Sequence, residues 1–210
     1  MMTVFDTTAN LRSFREASGR QVPREEVGRI IEAGRRAPSP GNVQSVEFIV
    51  VESDHSKSLL AEAAGDERLE NVPIAVVVTG DIGRMERRIG GSEAVTACNY
   101  EVAGAVQNMR LVAHEEGVSS CWVTGFDSLK VKQGLSIPEK KEPMGIVGLC
   151  YAKSEYESEK KFGFGEVVYY EEYGHYMDSI FDALQWKGLK ENRNISEKRI
   201  KGFLSRLLGS

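Results

Sequence analysis

Ala37-Pro-Ser-Pro-Gly-Asn-Val-Gln-Ser-Val-Glu-Phe-Ile-Val-Val51 is the stretch on which the fold turns. A helical segment ends just before it. A polar loop with two prolines and a glycine then runs straight into the apolar segment Val46–Glu52. Ser39, Asn42, Gln44 and Ser45 give the loop hydrogen-bonding side chains. Two readings stand side by side: a rigid turn that caps itself, or a functional loop presented by a rigid scaffold.

Working outward, Pro23 opens a helix that runs to about Arg36, since proline suits the first helical position. Val27, Ile30, Ile31 and Gly34 form its apolar face. Val46–Glu52 is a strand, and Ser56–Ala64 a short helix. Asn71–Gly80 holds the run Val72-Pro-Ile-Ala-Val-Val-Val, a strand buried on both faces. Ile82–Gly91 reads as a charged, glycine-flanked connection. Ser92–Glu116 is the longest helix signal and is rich in alanine and valine, which marks it as central to a core or a subunit interface. Gly117 caps its end. Ser120–Gly125 is a strand, Leu129–Leu135 a short helix and Pro143–Ala152 a further strand, giving a mixed alternation of helices and strands. Residues 154–176 are charged and aromatic with weak periodicity. Two amphipathic helices are expected near Met177–Trp186 and Ser196–Leu208. The domain expectation is therefore a main domain over 1–175 and a helical extension over 176–210.

The chain has 210 residues, enough for one sizeable core. Its apolar (41%) and charged (28%) fractions are those of an ordinary soluble protein. A net charge of −4 builds no broad basic field, so nucleic acid is not the expected partner. No run reaches the length of a membrane span, and the N-terminus lacks an apolar signal core. Cys98, Cys121 and Cys150 are far apart and odd in number, without metal-ligand spacing. These features point to a reducing, cytoplasmic setting without a metal site.

Arg12-Ser13-Phe14-Arg15 brackets a hydroxyl with two guanidiniums, the groups best suited to bidentate phosphate contacts, although isolated surface arginines are common. Gly125, after Val123 and Thr124, permits close backbone approach at a strand end. Lys160 and Lys161 precede Phe162-Gly-Phe-Gly. Neither dinucleotide nor P-loop glycine patterns occur. His55, His114 and His175 form no pair at ligand spacing, and no nucleophile–base arrangement or carboxylate pair stands out.

Taken in order, these pieces resemble the nitroreductase family of FMN-dependent oxidoreductases. The resemblance is carried by RSFR at 12–15, APSPGNVQSVEFIVV at 37–51, Ala103 through Gly125, Gly145–Tyr151 and the lysine pair before Glu166-Val-Val. It covers roughly residues 10–170 and implies an α+β fold: a central, mostly antiparallel sheet flanked by helices, with FMN at a homodimer interface. By resemblance, Arg12, Ser13 and Arg15 hold the FMN phosphate and ribityl chain, and Lys161, with Lys160, completes the phosphate site. Pro38, Ser39, Pro40 and Asn42 come from the other subunit to line the ring. Val123, Thr124 and Gly125 lie over the ring, with a backbone N–H donating to flavin N5. The implied activity is ping-pong transfer from NADH or NADPH, as diffusing co-substrate, to a small nitroaromatic- or quinone-like acceptor. In such an enzyme the flavin carries the chemistry, which accounts for the missing acid–base constellation.

Two alternatives remain. One is a flavin-binding, storage or sensing protein with slow turnover. The other is a specialised redox enzyme of the same fold. The chain departs from the family pattern at Leu11, where a basic residue is common, and at Ser45-Val46, where Pro-Trp usually follows the glutamine. Substrate preference is expected to diverge at Ser45 and Val46.

Overall fold

The computed structural model describes residues 3–157, 161–169 and 171–175. Helix α1 (Val4–Asn10) opens with a reciprocal capping box, in which the Asp6 N–H donates to Thr3 Oγ1 (3.1 Å) and the Thr3 N–H to Asp6 Oδ2 (2.8 Å). Strand β1 (Phe14–Ala17) and helix α2 (Arg24–Arg35) follow. After the loop come β2 (Val46–Val51), α3 (Asp54–Ala64), the short α4 (Arg68–Asn71) and β3 (Ile74–Asp81). Next are α5 (Ile82–Ile89), the long α6 (Gly91–Glu115), β4 (Ser119–Val123), α7 (Ser128–Gly134), β5 (Lys141–Cys150) and β6 (Ala152–Glu155). These elements belong to the compact unit Met1–Ser158. In the unit Glu159–Ser210, the described residues include a short helix α8 (Phe164–Val167). The helices expected near Met177–Trp186 and Ser196–Leu208 lie outside the described residues, as does Lys160.

Four strands form one sheet in the order β2-β3-β5-β4, each neighbouring pair antiparallel. β1 and β6 form a separate antiparallel pair with irregular register. The expected α+β architecture is thus present. Strand β3 lies inside the sheet and is buried on both faces, as its unbroken apolar run requires. Ile74, Val76 and Val78 pack with α2 and α6, alongside Val27, Ile30, Val102, Val106 and Met109. Ala75 and Val77 point the other way, into a cluster holding Leu60 of α3, Leu69 of α4, Val131 of α7 and Phe14 of β1. Each fully buried valine or leucine in these layers contributes about 1.5–3 kcal/mol.

The segment 82–91 differs from expectation. It is helix α5, not a connection. β3 passes into it without a loop because Asp81 ends the strand and also caps the helix, accepting from the Arg84 N–H (2.8 Å). Ile82, Met85 and Ile89 form a narrow apolar stripe that packs on Ala94, Ala97 and Cys98 of α6. Four charged residues in eight masked that stripe. β4 also ends earlier than expected, leaving Thr124 and Gly125 beyond the strand.

The decisive loop is held at its end. Ser45 is fully buried. Its hydroxyl donates to Glu101 Oε2 of α6 (2.6 Å), its N–H reaches the same oxygen (3.2 Å), and its carbonyl accepts from the Asp81 N–H (2.9 Å). Glu101 is itself buried, so these bonds replace its lost hydration. Upstream, the Gln44 N–H donates to Ser39 Oγ (2.7 Å), and Gly41, Asn42 and Gln44 adopt positive φ. Among the described residues, no helix is long and apolar enough to cross a membrane.

Glu101→Ala removes both charge-assisted bonds, leaving the buried Ser45 N–H unpaired and the Ser45 hydroxyl with only the weak Cys98 Sγ contact (3.4 Å). It should cost about 3 kcal/mol or more, while Glu101→Gln, which keeps an acceptor, should cost less. Urea unfolding midpoints compare the two, and an alanine variant as stable as wild type refutes the anchor. Burial pushes the thiols of Cys121 and Cys150 up to about 11 and about 12. A raised folded-state value means that their stabilisation is complete below the ordinary thiol range and lost as pH rises through those values. Thermal melts from pH 8 to 12 should therefore fall less steeply for Cys121→Ala and Cys150→Ala than for wild type, relative to each variant's own melt at pH 8.

Candidate functional site

The segment around Arg12 begins where α1 ends. Arg12 turns its guanidinium back onto that helix, donating through Nη1 to the carbonyls of Ala9 (2.9 Å) and Leu11 (2.8 Å). It therefore also closes a helix C-terminus, where a cation is favourable. The Ser13 carbonyl accepts from the Tyr156 N–H (3.0 Å), and Phe14 is buried in the core layer. The Arg15 guanidinium sits 5.1 Å from the centre of the Tyr156 ring on an exposed face.

A second cation stands beside it that sequence reasoning missed. Arg68, at the start of α4, lies 5.6 Å from the Tyr156 ring and 5.9 Å from that of Phe14, and it donates to the Phe14 carbonyl (3.3 Å). Asp66 grips it with short bonds (2.6 and 2.9 Å). The pairing raises the guanidinium and holds the Asp66 carboxyl below its usual range. In sequence, Asp66-Glu-Arg68 is an ordinary surface ion pair. Nothing local links it to residues more than fifty positions upstream.

β4 brings Val123 into the same core layer as Phe14 and then releases the chain. Thr124 and Gly125 are exposed. Their backbone N–H groups take no partner among the described residues, and the space over Gly125 is open for 4 Å. Among the described residues, three buried polar atoms are also left without a hydrogen bond: Arg110 Nε, Ser120 Oγ and Trp122 Nε1. Two of these belong to β4. Desolvation also lowers the Arg110 guanidinium from its ordinary value. Just past the end of β4, the exposed Thr124 and Gly125 N–H groups are open donors, a set that suits a planar, hydrogen-bond-accepting ring such as flavin.

The loop Pro38–Asn42 belongs to another region of the molecule. Ala37 and Pro38 lie against Gly104 of α6, and Val43 packs into the small cluster under α5. Pro38 and Asn42 are exposed, and Ser39 and Pro40 half-buried. Phe14 and Val123 sit on the α3–α4–α7 face of the sheet, whereas this loop follows α2 on the α6 face. Within one chain, then, residues 12–15 and 123–125 share a core layer and residues 38–42 do not. Lys161 is exposed in the unit beginning at Glu159.

Ser45 corrects an expectation. With no exposed surface it cannot touch a substrate, and its work is to anchor the loop to Glu101. Val46 is half-buried at the start of β2. Among the described residues, no cluster of three or more His, Cys, Asp or Glu side chains is arranged to hold a metal ion.

The chain is similar to several known proteins. A protein of Archaeoglobus fulgidus, whose name couples NADH dehydrogenase with NAD(P)H nitroreductase, is 29% identical over 164 residues, 72% of this chain and 88% of that one. The solved structure of Bacillus megaterium NfrA1 superposes with a TM-score of 0.75 at 22% identity, covering 98% of this chain and 92% of that one. An FMN-dependent nitroreductase from Clostridium difficile R20291 superposes with a TM-score of 0.65 at 22% identity, over 82% of this chain and all of that one. The sequence model of the nitroreductase family matches residues 9–72 and 61–151, which span both the arginine segment and the β4 strand end, and the chain therefore belongs to the nitroreductase family.

Proposed function

We propose that this chain is an FMN-dependent oxidoreductase that passes reducing equivalents from NADH or NADPH to a small nitroaromatic- or quinone-like acceptor in ping-pong order. The observation that carries this reading is the β4 strand end. There, exposed Thr124 and Gly125 offer free backbone N–H groups beneath open space. FMN, when bound, supplies the hydride chemistry, and the side chains need furnish no general acid or base.

The chain's own residues bind and orient. Arg15 and Arg68, fixed about the Tyr156 ring, provide cationic charge for a phosphate, and Ser13 a hydroxyl. Arg12 keeps its remaining donors for the same group after Nη1 has closed α1. A backbone N–H of Thr124 or Gly125 would donate to flavin N5, and such a fixed dipole stabilises negative charge developing on the ring without reorganising. Pro38, Ser39, Pro40 and Asn42 would line the ring bound by a second copy, because in one chain they do not join the residues of β1 and β4. A homodimer is further supported by large apolar residues left exposed on neighbouring helices: Val4 and Phe5 on α1, and Val95 and Tyr100 on α6. A cytoplasmic setting would supply NAD(P)H and is in keeping with three free, buried thiols.

Purified protein should be yellow and hold one FMN per chain. A colourless protein that FMN cannot reconstitute rules the reading out. Replacing Arg12 and Arg15 together by alanine should weaken FMN binding by several kcal/mol, at about 1.5–3 for each charged hydrogen bond. An unchanged FMN dissociation constant would remove both from the phosphate site. Anaerobic mixing with NADH or NADPH should bleach the bound flavin within the turnover time. Flavin that stays oxidised would instead make the chain a flavin-binding protein.

A further inference from the structure

Helix α5 turns Ile82, Met85 and Ile89 into the cluster beneath it and carries Arg84, Arg87 and Arg88 among its other residues. Arg84 is committed to the loop: it donates to the Gln44 carbonyl (2.5 Å) and to Glu47 Oε1 (3.1 Å) and lies 3.5 Å from Asp81 Oδ2. Arg88 instead lies over the loop itself. A side-chain carbon at Gly41 would meet its Cγ at 3.5 Å and its Nε at 3.6 Å. Arg87 and Arg88 are exposed, and neither makes a hydrogen bond or ion pair among the described residues.

Two arginines in the last turn of a helix answer its dipole, and that alone would suffice for a solvated surface. Dipole compensation does not require one of them to lie across Gly41, between two of the residues that line the proposed site. Nor is α5 a loose arm. Met85 is fully buried, Val43 of the loop packs in the same cluster, and the Arg84 bond ties helix to loop. A rigid support thus holds Arg88 over the loop, with Arg87 next to it in the chain and neither paired with a carboxylate among the described residues, in a chain whose net charge is −4. Guanidiniums favour phosphate-like oxyanions through bidentate bonds.

We infer that Arg88, with Arg87, determines specificity by binding an anionic oxygen group, a phosphate of the nicotinamide co-substrate, at the mouth of the site lined by Pro38–Asn42. The inference rests on the proposed flavin role of that loop. Neither arginine touches the reacting atoms. Both act on the occupancy and orientation of the donor, so their loss is felt in KM before kcat.

The test uses the full-length, FMN-loaded protein with Arg87→Ala, Arg88→Ala, the double variant and Arg88→Lys. Donors are NADPH and the uncharged 1-benzyl-1,4-dihydronicotinamide. Acceptors are menadione and 1,2-naphthoquinone-4-sulfonate. The double variant should raise KM for NADPH about tenfold or more with kcat retained, leave the uncharged donor unaffected, and be partly rescued by lysine at position 88. Equilibrium titration with adenosine 2′,5′-bisphosphate, which moves no hydride, should weaken by a similar factor. A rise confined to the sulfonated acceptor supports the same oxyanion chemistry with the acceptor as its source. Unchanged constants throughout, or equal changes for charged and uncharged partners, overturn the inference. Wild-type flavin reduced by neither donor would overturn the oxidoreductase reading, and the bisphosphate titration would still decide this one.

Discussion

A single buried carboxylate joins the parts of this molecule. Glu101 stands buried in the middle of the long helix α6, and the hydrogen bonds it accepts among the described residues both come from Ser45. A buried charge without such partners is strongly destabilising, so the position of Ser45 against α6 is tightly set. Ser45 also accepts from the Asp81 N–H, at the end of β3. Loop, long helix and central strand therefore meet at one residue. The positive-φ conformations of Asn42 and Gln44, uncommon for residues with a Cβ, are held between that anchor and the Ser39 hydroxyl.

Charge on the outer side completes the grip. Glu47 of β2 is held between Arg84 of α5 and Lys141 of β5, and Asp81 joins the same group. Partly exposed pairs of this kind add little stability. Their effect is geometric: they fix α5 beside the loop, and so fix where Arg87 and Arg88 stand. The structure thus moves the role of Ser45 from substrate preference to support, and it brings α5 into contact with the loop instead.

The sheet sorts the remaining residues. Period-two alternation along β3 creates two core layers, and each layer carries part of the proposed site. Residues 12–15 and 123–125 are organised through Phe14 and Val123 on one face, and residues 38–42 follow α2 on the other. If these residues bind the flavin as proposed, each chain would present two half-sites. That arrangement gives the proposed homodimer a physical basis beyond the apolar composition of α6.

The sequence alone determined a good deal. The alternation of apolar runs located α2, β2, α3, β3, α6, β4, α7 and β5 to within a few residues, because burial periodicity and proline or glycine punctuation are local properties. Ordered motifs pointed to the family. Other features were closed to it. α5 was hidden because its apolar stripe is narrow and its charges dense. β1 was hidden because a four-residue strand has too few positions to show a period. Arg68 joins Tyr156 and Phe14 only through contacts spanning more than fifty residues, and Ser45 meets Glu101 across a separation of 56. A hydroxyl in a polar loop and a glutamate in a long helix each look solvent-facing when read locally. Only the tertiary structure put both out of water, and once there, desolvation left them each other as partners.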